Sequence, residues 1–78
     1  MKPEEFIGEK AQYDNSATKI WAVSKNGGMQ MLLDLRGWGA IQNLFPMTKE
    51  GQQQAADFQD ELGEWIVDAI NQKLKQKA

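Results

Sequence analysis

The segment TKIWAVSKNGGMQMLLDLR, Thr18 to Arg36, holds two apolar runs on either side of Asn26-Gly27, a pair of residues typical of tight hairpin turns. Met29, Met31, Leu33 and Leu35 alternate with Gln30, Asp34 and Arg36, the period of a half-buried strand. Two registers compete. A two-residue Asn26-Gly27 loop, the preferred reading, pairs Ile20 with Leu33, Ala22 with Met31 and Lys19 with Asp34, matching apolar to apolar and cation to anion. A three-residue loop with a bulge instead sets Trp21 and Val23 beside Met31 and Met29 and sends the tryptophan inward.

Downstream, Ala55, Phe58, Leu62, Trp65, Ile66, Ala69, Ile70 and Leu74 recur at three- and four-residue steps, which predicts a long amphipathic helix. Thr48 is its expected N-cap, and Lys73, Lys75 and Lys77 complement the dipole at its end. Gly51 and Gly63 weaken it, by about 1 kcal/mol each relative to alanine. Trp65 is expected at the centre of the buried stripe, against Met31 and Leu33.

Between hairpin and helix lies Gly37-Trp38-Gly39, where the glycines suit a sharp corner that folds Trp38 over the edge of the core; the competing role for Trp38 is a partner anchor. Ala40 to Phe45 is then expected to form the third strand, since a two-stranded hairpin is marginal alone. Residues 1–15 are expected as a short helix opened by Pro3, carrying Phe6 and Ile7, or as a loose segment. The expected architecture is α+β: a single compact β-β-β-α domain over residues 16–78, with the long C-terminal helix lying on one face of an antiparallel meander.

Composition narrows the chemistry. Without cysteine or histidine among its 78 residues, the chain has no disulfide, no thiolate or imidazole zinc ligand and none of the usual general bases. No nucleophile elbow, phosphate loop or dinucleotide fingerprint is present, so no enzyme, cofactor or metal is expected. The N-terminus has no apolar signal region and no segment is apolar enough to span a membrane, so a soluble, cytoplasmic protein is expected.

Protein partners are the expected class instead. The helix is longer than the strands, and Trp21 and Leu32 oppose the Ile20 face in the preferred register, leaving a second apolar sheet face for self-association. Phe6 and Ile7 are the competing cover for that face. Gln59, within the apolar arc, suits a close and partly polar helix contact. Asp57, Asp60, Glu61, Glu64 and Asp68 project opposite the apolar stripe, either as a strip for a basic partner or as a solvated face; carboxylates along one straight helix diverge too far to close around a metal ion. The alternative is single-stranded nucleic acid, stacked on Trp21 and Trp38 with Lys19, Lys25 and Arg36 nearby. A pI near 5.0 and the lack of a dense basic stripe count against it.

Overall fold

A computed structural model describes residues 1–37 and 43–77. A short helix α1 (Pro3–Ile7) precedes three strands, β1 (Lys10–Asp14), β2 (Lys19–Val23) and β3 (Met29–Asp34); a 3-10 turn (Leu35–Gly37) follows, and then the long helix α2 (Lys49–Lys77). The strands form one antiparallel sheet in the order β1-β2-β3. The architecture is the expected α+β meander with a C-terminal helix, but its third strand comes from elsewhere. β1 lies inside the N-terminal segment, whereas Leu44 and Phe45 sit in a turn and residues 40–42 fall outside the described residues.

β1 forms because Lys-Ala-Gln-Tyr-Asp alternates strictly, with Ala11 and Tyr13 turned to the core. Asp14 ends it by accepting bonds from the Ser16 hydroxyl (2.7 Å) and the Ser16 amide (3.1 Å), a side-chain turn that takes the place of glycine. Those bonds hold the Asp14 carboxyl below its usual pKa. Thr18 closes the loop in the left-handed region, at φ 51°, an uncommon place for a β-branched residue.

The hairpin between β2 and β3 reconciles the two registers. Ser24 donates its amide to the Gly28 carbonyl (2.9 Å) across a three-residue loop that ends at Gly27 with φ 87°, so pairing near the turn runs Val23 to Met29, Ala22 to Gln30 and Trp21 to Met31. A bulge at Leu32 then shifts the ladder, and Ile20 pairs with Leu33 and Lys19 with Asp34 as the two-residue loop predicts. The expected Ala22–Met31 pair is absent. The bulge also changes faces: Leu32 packs with Leu33 against the core, and Met31 takes the outer face beside Trp21.

Thr48 caps α2 as expected, accepting the Gly51 amide on its hydroxyl at 3.0 Å. The face this helix turns inward is only partly the predicted one: Ala55, Ile66 and Ile70 are on it as expected, whereas Phe58 and Trp65 are not. Gly51, Ala55, Gly63 and Val67 are buried and Gln59 and Asn71 half-buried, six positions at four-residue steps. Glycine and alanine let the helix approach the chain closely; a Cβ on Gly51 would lie 2.0 Å from the Pro46 carbonyl oxygen. Trp65, expected at the centre of the core, is 65% exposed, and Met31 lies on the far face of the sheet. Trp65→Ala is therefore expected to cost less than about 1 kcal/mol in a denaturant melt, in the range of a surface substitution.

The core is thin. Among the described residues, Ile20 and Leu35 are its largest fully buried side chains, and Ala11, Ala22, Ala55 and Val67 are also buried. α2 packs mainly on β1, and α1 packs on the same side, since Ile7 lines a cleft with Ala69, Ile70 and Leu74. Phe6 and Ile7 therefore do not cover the outer face. With 29 residues at about 1.5 Å each, α2 accounts for the 44 Å long axis.

Candidate interaction surfaces

Two polar clasps fix the helix to the sheet. Asn71 accepts the Ala11 amide on Oδ1 (2.8 Å) and donates Nδ2 to the Ala11 carbonyl (3.1 Å), occupying the open edge of β1 as a neighbouring strand would. Eleven residues back along the helix, Asp60 accepts the Tyr13 hydroxyl (2.7 Å). Burial, followed by the bond and charge of Asp60 and the charges of Glu64 and Asp14, pushes the Tyr13 phenol well above its ordinary pKa. A raised pKa means that the stability of this clasp is complete below the unfolded phenol value of about 10 and is lost as the pH rises beyond it. Denaturant midpoints should accordingly fall above about pH 10, and Tyr13→Phe should flatten that alkaline limb.

The clasp also relocates a predicted residue. Asp60 was expected on the outward acidic strip; it is half-buried and turned toward Tyr13 instead. Asp57, Glu61, Glu64 and Asp68 remain exposed on the outer side of α2. Gln59 donates Nε2 to the Leu35 carbonyl (3.0 Å), tying the helix to the 3-10 turn, so its amide is engaged within the chain. Trp38 lies outside the described residues.

On the outer face of the sheet, Trp21, Val23, Met29 and Met31 are cross-strand neighbours, and Met29 and Met31 are about half exposed. Neither helix covers them. Lys19 sets its ammonium 6.0 Å from the centre of the Trp21 ring, within cation–π range. Lys25 sits in the hairpin turn, and Arg36 is held by Asp34 at 3.3 Å. That guanidinium, with its backbone amide, keeps the Asp34 carboxyl below its usual pKa. Val23, Met29 and Met31 were not singled out from the sequence as a binding surface; the three-residue loop after Val23 was the available signal for them.

Other features offer little chemistry. The cleft of about 420 Å³ between α1 and α2 is lined mostly by apolar side chains, with Glu4 and Lys73 as its ionisable groups. Among the described residues, no three acidic side chains converge to hold a metal ion, and no helix is long and apolar enough to cross a membrane. The fold is a small α+β meander with a partly exposed apolar sheet face and a partly exposed helix ridge. No protein family, curated protein or solved structure matches the chain.

Proposed function

We propose that this chain is a small, non-enzymatic interaction module that binds a second copy of itself through the outer face of its sheet. The observation that carries the reading is the Trp21–Val23–Met29–Met31 patch, contiguous across two strands and left bare by both helices. A face contact is favoured over edge pairing because the Leu32 bulge interrupts β3 and the Asn71 side chain occupies the β1 edge at Ala11. Self-association also supplies burial that a thin core lacks.

Sedimentation at micromolar concentration tests the proposal. A dimer of twice 8.8 kDa is expected, and Met31→Glu, which sets a charge in the contact, should return it to the monomer with its circular dichroism unchanged. A monomeric wild-type chain, or a dimer indifferent to Met31→Glu, would overturn it. A second reading, unpaired bases stacked on the same face, draws on Lys19 over Trp21. It predicts salt-sensitive quenching of tryptophan fluorescence by oligonucleotides, and the engagement of Arg36 by Asp34 weakens it.

A further inference from the structure

α2 carries a second apolar surface, partly exposed and separate from the sheet's outer face. Phe58 (42% exposed) and Trp65 (65% exposed) flank the half-buried Leu62, at positions i, i+4 and i+7 of one helix ridge. Phe58, Glu61, Leu62 and Trp65 enclose a recess of about 100 Å³, well beyond the ~10–15 Å³ that one water requires, and wide enough for an aliphatic side chain. Phe58 is braced from behind by Phe45, ring centroids 5.9 Å apart at a 56° tilt, so this wall of the recess is preformed.

We propose that this ridge docks a basic amphipathic helix from another protein. The charge pattern selects the occupant. Asp57, Glu61, Glu64 and Asp68 run beside the ridge, all exposed, and the sequence from Glu50 to Ile70 contains no cation. Among the described residues the only ion pair is Arg36 with Asp34, so none of these four carboxylates is paired with a described cation. Asp57 with Glu61 and Glu64 with Asp68 are like-charge neighbours one turn apart, a repulsion that a lysine- or arginine-flanked partner relieves. A second copy laid on the same ridge would set acid against acid. A partner helix instead seats one aliphatic side chain in the recess, packs its apolar stripe on Phe58 and Trp65, and aligns its cations with the acidic line.

The test uses the full chain and two synthetic helical peptides of about five turns. Both carry the same leucine stripe, one flanked by lysines and the other by glutamates. The lysine peptide is expected to bind in the micromolar range by fluorescence anisotropy, and to shift the Trp65 indole N–H resonance, assigned with Trp65→Phe. Its affinity should drop at least about tenfold between about 50 and about 500 mM salt. It should drop comparably in the combined variant Asp57→Asn, Glu61→Gln, Glu64→Gln, Asp68→Asn, whose fold is checked by circular dichroism. Equal affinity for the two peptides, absence of binding, or perturbations confined to Trp21 and its neighbours would overturn the proposal. So would a wild-type dimer that Trp65→Ala dissociates, which would assign the ridge to a second copy. Because Met31→Glu probes the sheet face separately, failure of self-association there leaves this result readable on its own.

Discussion

Ile20→Ala should leave the protein largely unfolded at room temperature. Ile20 is fully buried on the central strand, paired with Tyr13 on one side and Leu33 on the other, and packed with Ala11 and Val67. Truncating such a side chain removes its transfer free energy and leaves a cavity, a loss of about 2–5 kcal/mol. A core of this size supplies about 3–5 kcal/mol in total. Of the five other buried side chains among the described residues, three are alanines (Ala11, Ala22 and Ala55), so little can collapse into the space. Ile20→Val, which removes one methylene, should lose only about 1 kcal/mol and stay folded. Guanidinium melts of the pair decide the matter: a loss below about 1 kcal/mol for the alanine variant would place the centre of the core elsewhere.

Gly63→Ala should destabilise the chain, although alanine is the better helix former by about 1 kcal/mol. A Cβ at this position would meet the Tyr13 ring at 2.5, 2.7 and 2.8 Å from Cε1, Cδ1 and Cζ, distances that no packed carbon tolerates. The ring must move, and its hydroxyl then leaves Asp60. Overpacking of this kind costs about 1–3 kcal/mol, which outweighs the propensity gain. The cause is separable from helix propensity by a double-mutant cycle. In a Tyr13→Ala background, Gly63→Ala should become neutral or stabilising, because the obstacle is gone and only the helical preference is left. Persistent destabilisation there would show that something other than the tyrosine ring requires the glycine.

These two residues also show what the sequence made legible and what it hid. The hairpin around Asn26-Gly27, the Thr48 cap and the α+β class all follow from local signals, and the structure contains each of them. The inward face of α2 follows only in part: Ala55, Ile66 and Ile70 lie on it as the periodicity predicts, but periodicity weights large apolar side chains, and in this helix Phe58 and Trp65 are on the surface while Gly51 and Gly63 make the close approach. Gln59, which the sequence places within the apolar arc, and Asn71, which it does not single out, face inward where main-chain groups at Leu35 and Ala11 require partners, a demand whose identity is visible only once strand and helix are brought together. β1 was overlooked because alanine is its only buried residue, although the Asp14-Asn15-Ser16 turn signal stood directly after it. An apolar second face of the sheet was legible through Trp21. Its composition was not: the Leu32 bulge exchanged Leu32 for Met31.

The Asn71 clasp bears on how the chain is made as well as how it is held. Its two halves are 60 residues apart in sequence, and Tyr13 and Asp60 are 47 apart, while each strand pairing joins near neighbours. Hairpins form in about 1–10 μs, so the meander can arise early in synthesis with the inner faces of Ala11, Ile20 and Ala22 still bare. Helix docking must close the longest loops in the molecule, which makes it the slower, topology-limited event. A nascent chain that has not yet released residue 71 from the ribosome therefore displays both apolar faces of its sheet and an unguarded β1 edge.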